Sequence, residues 1–377
     1  MQHSNIVGGS TAKRVINCPG SVGLVNKVPP KGSSDYANEG TMLHQAMAEY
    51  WESNSYKPET FIGFEHSGAT MDQDLFERKF LPAIKAIDEL DPLAMMQYAV
   101  ETLVSFNGEP ELEGVFGSTD FLGRIGNCAY VIDWKFGDGV YVEAEENPQL
   151  LFYAAAAMRT PKVEWVFEGV THIMMVIVQP RFGVSTWETS PKRVKLFERD
   201  LIAAVKKAKR PDAEFCRGEW CKWCAAKPVC PLMTGAADRA MKAKIDALDK
   251  AQIAEYLEDA AYLEEWVKSL QELAETVIRN GGSVNGWKLV EKRATKKWVD
   301  ETTAEEYLSR HLDESEYTTK KIITPTQAEK LLKQQGVELS DGVIDKSSSG
   351  FTLAKESDKR PSVGTAQQRL ATALSKM

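Results

Sequence analysis

The sequence predicts an α/β fold, and three observations carry the prediction. The segment EGTMLHQAMAEYW has helical spacing, with Leu43, Met47, Tyr50 and Trp51 on one face. Residues 117 to 137, GSTDFLGRIGNCAYVIDWKFG, read as two strands joined by a short turn. The Ala-rich helix NPQLLFYAAAAM then separates them from VTHIMMVIVQPR. A continuous apolar run of that kind marks a central strand covered on both faces.

The chain has 377 residues, which on the usual domain size implies two or three domains. Apolar residues make up 43% and charged residues 27%, enough for a core and a solvated surface. A net charge of −8 gives no global sign of nucleic-acid binding, although a local basic stripe suffices to hold phosphates. No apolar run reaches the ~20 residues of a membrane span, so no membrane partner is expected. The start MQHSNIVGGS lacks the basic-then-apolar pattern of a signal peptide. A cytoplasmic, reducing location is therefore expected, in which the six cysteines are not a disulfide framework.

The elements are expected in the following order. Residues 1 to 40 are rich in Gly, Ser and Pro and predict irregular chain with at most one short helix. After EGTMLHQAMAEYW comes a helix near residues 74 to 90, then a strand over 97 to 105. Beyond the paired strands, a turn at 137 to 139 leads to a short strand, VYVEAE. Pro148 sits near the start of the Ala-rich helix, where Pro is tolerated. A helix over 191 to 211 ends in the basic VKKAKRP. A long helix over 238 to 280 closes at Gly281-Gly282. The domains expected are a core over 1–235, a helical segment over 236–282, a small α+β domain over 283–345 and a polar tail over 346–377.

The paired strands carry Asp120, Asp133 and Lys135 where apolar residues belong. Buried charges cost several kcal/mol unless paired or metal-bound. Asp133 and Lys135 are two apart and share a strand face, and a hairpin return brings Asp120 beside Asp133. Converging carboxylates persist when a divalent cation lies between them, and Mg²⁺ and Mn²⁺ favour such oxygen ligands. The bland alternative is an ordinary edge-strand salt bridge. His44 is a candidate imidazole ligand on the first long helix, against the commoner reading of a structural histidine. Gln149 and Tyr153 are four apart and face the same way on the next helix.

A second group lies in CRGEWCKWCAAKPVCP, which holds four of the six cysteines. Cys221, Cys224 and Cys230 are spaced C-x2-C-x5-C and followed by Pro231. The fourth ligand of a metal group is either the local Cys216 or the distant Cys18 in NCPGS. Zinc, a [4Fe–4S] cluster and free buried thiols are the three readings. Cys128 reads as a plain small apolar residue.

The order His44, Asp120, Asp133-Trp134-Lys135, Gln149-x-x-x-Tyr153 and the cysteine group resembles the RecB-type branch of the PD-(D/E)XK nuclease superfamily. The resemblance spans residues 15 to 235. It implies a restriction-endonuclease-like core, a mixed central sheet flanked by helices, with helical and small α+β C-terminal additions. It also implies that His44, Asp120, Asp133 and the Trp134 carbonyl bind Mg²⁺ or Mn²⁺, and that Lys135 positions the attacking water. Gln149 and Tyr153 then steady the site. Glu101 on the preceding strand is a further candidate ligand, ranked below these. Some members of the branch carry a [4Fe–4S] cluster with one cysteine before the core and three after it, which matches Cys18, Cys221, Cys224 and Cys230 and leaves out Cys216. More loosely, NCPGS, EGTMLH, NPQLLFYA and ESDKRP resemble a phage and prophage family known mainly as a domain of unknown function.

These features lead to a metal-dependent DNA exonuclease of phage origin, acting in replication, recombination or host-DNA breakdown. The rival is a non-catalytic DNA-binding or assembly protein on a nuclease scaffold. Lys288, Lys292, Arg293, Lys296 and Lys297, between Trp287 and Trp298, are candidate phosphate contacts or simply a solvated strand face. The partners open to the chain are DNA, a second copy of itself and a phage recombination protein.

Overall fold

The computed structural model describes residues 4–29, 35–53, 56–137, 139–235 and 250–288. The chain divides into two units, Met1–Val290 and Glu291–Met377. The described residues all belong to the first, so Lys292, Arg293, Lys296 and Lys297 lie outside them.

A 3₁₀ turn at Gly9–Thr11 leads into α1 (Ala12–Asn17) and α2 (Ser21–Val25), and α3 (Asp35–Glu52) follows. A small hairpin of β1 (Glu65–His66) and β2 (Ala69–Thr70) precedes α4 (Gln73–Leu75). That helix continues through a π turn, Phe76–Phe80, into α5 (Leu81–Leu90). Then come β3 (Gln97–Ser105), β4 (Phe116–Ile125), β5 (Cys128–Trp134) and α6 (Pro148–Ala157). They are followed by β6 (His172–Gln179), β7 (Gly183–Thr189), α7 (Pro191–Ala208) and α8 (Lys250–Arg279).

The large sheet has the order β3-β4-β5-β6-β7, with β5 and β6 parallel and the other pairs antiparallel. The β4–β5 hairpin turns on Gly126-Asn127, with Gly126 at φ +58°. A glycine at the first central position is what the twist of a two-residue hairpin asks for. Both faces of the sheet are covered. Ile173, Met175 and Ile177 of β6 pack with α1, α6 and α7, while Val176 and Val178 pack with α3 and α5. The unbroken apolar run of β6 follows from that two-sided burial. Burying each such side chain fully contributes about 1.5–3 kcal/mol. This mixed sheet between helical layers is a restriction-endonuclease-like core.

Helix α6 starts where Asn147 Oδ1 accepts hydrogen bonds from the N–H groups of Gln149 (2.9 Å) and Leu150 (3.4 Å). Its alanines are buried all round, between the sheet and α1 and α7. At the far end of the described chain, Gly281 at φ +84° ends α8, and Gly282 N–H bonds back to Val277 O at 2.9 Å.

Three expectations need correction. The N-terminal segment holds two short α-helices rather than at most one, because Val7, Ala12, Val15 and Val22 bury against the core and tertiary packing overrides weak local propensity. Residues 140–145 are not a strand. Their backbone groups are satisfied by side chains instead: Val142 N–H donates to Gln179 Oε1 (2.8 Å) and Ala144 N–H to Ser185 Oγ (3.0 Å). The alternating edge strand β7 was not expected at all.

Candidate metal centre and its lysine network

Two strands of the hairpin and one helix from each layer meet at one end of the sheet. Asp120 lies one residue beyond the pair Phe121–Ile132, which sets it beside Asp133. Both are buried, Asp133 to 1% exposure. Asp120 Oδ2 accepts the Trp134 backbone N–H at 2.8 Å. His44 enters from α3, with Nδ1 3.5 Å from Asp120 Oδ2 and 3.9 Å from Glu101 Oε1. Its ring is held edge-on against Phe136 at 5.2 Å.

Glu101 enters the site through a distortion of β3. It has φ +40°, a conformation that side chains other than glycine rarely adopt. The strand changes face there: Tyr98 and Val100 pack toward α3, whereas Val104 packs toward α6. On β4, Phe121 packs toward α3, while Gly117 stands against Phe152 and Tyr153 of α6. A regular strand keeps all even-numbered residues on one side. The switch brings one donor atom each of His44, Glu101 and Asp120 within 4.8 Å of one another. An imidazole nitrogen and carboxylate oxygens at that spacing suit Mg²⁺ or Mn²⁺.

Asp133 and Lys135 stand beside this triad. Lys135 Nζ is 2.6 Å from Asp133 Oδ2 and donates to Gln149 Oε1 at 2.9 Å. Gln149 Nε2 donates to Asp133 Oδ1 and to Tyr153 Oη, both at 2.9 Å. One amide thus reads the lysine with its oxygen and the carboxylate with its nitrogen; the ammonium, which can only donate, fixes which end is which, and Tyr153 Oη accepts from the same nitrogen.

Sequence reasoning missed Lys79. It is buried on the π turn, and its Nζ donates to Glu39 Oε1 (2.7 Å) and to the Phe136 carbonyl (2.9 Å). It therefore ties α3 to the residue after Lys135. Nothing in its FERKF context separates it from an ordinary surface lysine.

The carboxyls repel one another. Burial, reinforced by Asp120, pushes the Glu101 carboxyl up to about 7. Burial, with Asp120 and against the attraction of Lys135, pushes Asp133 up to about 6. Burial also disfavours ionised Asp120, but His44, Lys135 and the Trp134 N–H outweigh it and hold that group below its usual value. For His44 and Lys135 burial opposes the charge, and the surrounding carboxylates overcome it and raise both. Glu101 and Asp133 therefore hold protons in the fold that they lose when unfolded. Their contribution to metal-free stability is complete below the ordinary carboxyl values of 3.8 and 4.5 and is lost as pH climbs through about 6 and about 7. Thermal unfolding in chelator should show that fall; Glu101→Gln should flatten its upper part, and saturating Mn²⁺ should reverse its sign.

The N-terminal segment braces this network. A Cβ on Gly9 would lie 2.8 Å from Tyr153 Oη. Gly9→Ala must displace the tyrosine and loosen Gln149. We expect a loss of about 1–3 kcal/mol together with reduced activity. Gly23→Ala, in α2 with open space around it, should leave both unchanged in matched melts and rate assays.

The cysteines form a second centre. Cys18, Cys216, Cys221, Cys224 and Cys230 line one cavity with Arg14. NCPGS builds its near wall. Ser21 Oγ donates to the Cys18 carbonyl (2.6 Å), Gly20 N–H to Glu214 O (2.9 Å), and Cys216 N–H to Cys18 Sγ (3.3 Å). Glycine is required because a Cβ at position 20 would lie 2.6 Å from Ala213 O. Helix α8 closes the outside through Trp266 Nε1 to Pro228 O at 3.0 Å and the pair Arg217–Asp259 at 3.0 Å. Arg14 is half-buried and donates to Ser21 Oγ at 2.6 Å. Among the described residues it has no carboxylate partner within ion-pair distance; burial lowers its pKa and the sulfurs of Cys224 and Cys18 raise it. Burial pushes the Cys224 thiol up, and the Arg14 guanidinium opposes that rise in part. Cys128 is on β5, outside this wall.

A family model described as "Protein of unknown function (DUF2800)" matches residues 3–361. The chain belongs to the DUF2800 family. Two solved structures are similar to this DUF2800 protein. "Crystal structure of SSO0001" has 17% identity, covers 61% of this chain and 88% of that one, and has a TM-score of 0.27. "Crystal Structure of LHK-Exo in complex with dAMP" has 11% identity, covers 52% of this chain and 90% of that one, and has a TM-score of 0.23. The fold of the DUF2800 chain rests on its strand order and layers, not on these superpositions. No helix among the described residues is long and apolar enough to cross a membrane.

Proposed function

We propose that the chain is a metal-dependent DNA nuclease, an exonuclease acting in phage DNA replication, recombination or host-DNA breakdown. The observation that carries the reading is the junction of two groups: the His44–Glu101–Asp120 triad, and Lys135 held between Asp133 and Gln149 beside it. A structural salt bridge needs neither the triad nor an amide that fixes the lysine. Exonuclease action, rather than cutting within the strand, follows the RecB-type resemblance.

His44, Glu101, Asp120 and Asp133 would hold one or two Mg²⁺ or Mn²⁺ ions, with the Trp134 carbonyl as a further oxygen. When bound, the metal supplies Lewis-acid stabilisation of charge on a phosphodiester oxygen and lowers the pKa of water. The residues do the rest. Lys135 directs a donor toward the water or the phosphate oxygen. Gln149 keeps Lys135 and Asp133 in one geometry, and Tyr153 gives the amide a third anchor.

In the second centre, Cys18, Cys221, Cys224 and Cys230 would hold a [4Fe–4S] cluster, with Cys216 a neighbour rather than a ligand. Zinc is the alternative. What supports the cluster is the split of one cysteine before the core and three after it, with Cys18 lining one cavity with Cys221, Cys224 and Cys230. The cluster would join the N-terminal segment to the end of the core.

The test is digestion of 5′- and 3′-labelled linear and circular DNA with Mg²⁺ and with Mn²⁺. Linear DNA should shorten from an end while circles survive. Fully metallated protein that leaves all of these intact would overturn the reading, and binding without cleavage would transfer it to a DNA-binding scaffold.

A further inference from the structure

One exposed aromatic pair is held in place by a buried polar side chain. Gln179 ends β6 and is 2% exposed. Its amide clamps the loop on both sides of Tyr141: Nε2 donates to the Val140 carbonyl at 3.0 Å, and Oε1 accepts the Val142 N–H at 2.8 Å. Tyr141 itself is 52% exposed. It meets Phe182, 43% exposed, edge to face at 6.1 Å. Phe182 is anchored by its N–H to the Gln179 carbonyl at 2.8 Å, and the chain turns at once through Gly183 at φ +97°. Arg181 Cζ lies 5.7 Å from the Phe182 ring.

Burying an amide is costly unless every group is satisfied. Here the satisfied groups hold a solvent-facing tyrosine rather than a core element. The loop that carries the aromatic pair is also tied to the candidate centre through the backbone. Lys135 N–H donates to the Val178 carbonyl at 2.9 Å, so the residue that follows Asp133-Trp134 is bonded to the residue that precedes Gln179. Both lie at the carboxyl ends of the parallel strands β5 and β6, where open sheets bind ligands.

We propose that Tyr141 and Phe182, with Arg181, form a stacking clamp for unpaired bases of the strand entering the site, a role that rests on the nuclease reading. An unpaired base can enter between two aromatic side chains, which a paired base cannot do, and a guanidinium adds cation–π and phosphate contacts. Within a duplex the base faces are covered by neighbouring base pairs. The occupant is therefore a single-stranded end or tail.

The experiment compares the wild-type chain with a Tyr141→Ala/Phe182→Ala double variant. Fluorescence anisotropy measures binding of a single-stranded-tailed duplex and a blunt duplex, with Ca²⁺ replacing Mg²⁺ to limit cleavage. The variant should bind the tailed DNA about tenfold more weakly, bind the blunt duplex as the wild type does, and keep its kcat at saturating substrate in Mg²⁺. Gln179→Leu, which frees the loop but leaves both rings, should move the same affinity in the same direction. Unchanged affinity for tailed DNA, or an equal loss for tailed and blunt DNA, overturns the clamp while wild-type cleavage still upholds the nuclease. A wild type that neither binds nor cuts DNA overturns both, and the patch then faces a protein.

Discussion

Replacing Lys135 with Met should reduce DNA cleavage in Mn²⁺ by about 10³-fold or more without unfolding the protein. Losing one preorganised donor costs about 10²–10³ in kcat, and losing a proton-transfer group costs 10²–10⁴. Lys135 is placed for either role, 2.6 Å from Asp133 and 2.9 Å from Gln149 Oε1. Its removal also leaves Asp133 more costly to ionise, because Lys135 is the main group holding that carboxyl down against burial. The K135M rate should therefore recover partly as pH rises, while a wild-type profile flattens earlier. Gln149→Glu separates geometry from charge: it keeps an acceptor for Lys135 but places a second carboxylate against Asp133 Oδ1. Its activity should fall with little change in melting temperature. Initial rates on end-labelled linear DNA, with melts of each variant, check all three. A K135M enzyme that keeps wild-type kcat would remove Lys135 from the chemistry.

The parts of this centre that could be read from the sequence are those that obey a period. Asp133 and Lys135 share a face because the ladder of β5 runs on one residue past Trp134, Lys135 N–H bonding to Val178 O, and Gln149 and Tyr153 share one because α6 is regular. The apolar run of β6 announced its own two-sided burial. Glu101 obeys no such period. Its left-handed backbone switches the face of β3, and alternation carried through that point puts its neighbours on the wrong side. Such strain is commonly held in place at functional sites by surrounding structure. Lys79 and the Gln179 clamp were illegible for another reason. Both act on backbone carbonyls or N–H groups of distant residues, Phe136 in one case and Val140 and Val142 in the other. No spacing rule encodes contacts across such separations. The segment 140–145 shows the same limit, since its strand-like composition is satisfied by side chains that only the fold brings near.

Cys18→Ser should have the largest effect on stability. Cys18 is buried, and its sulfur accepts the Cys216 N–H at 3.3 Å across nearly two hundred residues of chain. A metal group joining it to Cys221, Cys224 and Cys230 closes a loop that spans almost the whole core. By the chain-entropy measure for cross-links, a loop of that size is worth on the order of 5 kcal/mol, or roughly 10 °C in melting temperature for a domain of this size. With the proposed cluster as that group, the serine variant should also lose iron and acid-labile sulfide together. It should lose activity as well, because Gly9 on the same N-terminal segment braces Tyr153. Arg14→Gln should leave the proposed cluster bound but shift its reduction potential downward, since it removes a cation whose charge acts on Cys18 and Cys224. Cys216→Ser and Cys128→Ser should leave metal content unchanged. A colourless wild type, purified without oxygen and holding one zinc, would replace the cluster with zinc. A C18S protein that keeps full metal and its melting temperature would assign the fourth ligand to Cys216 and leave the N-terminal segment held by packing alone.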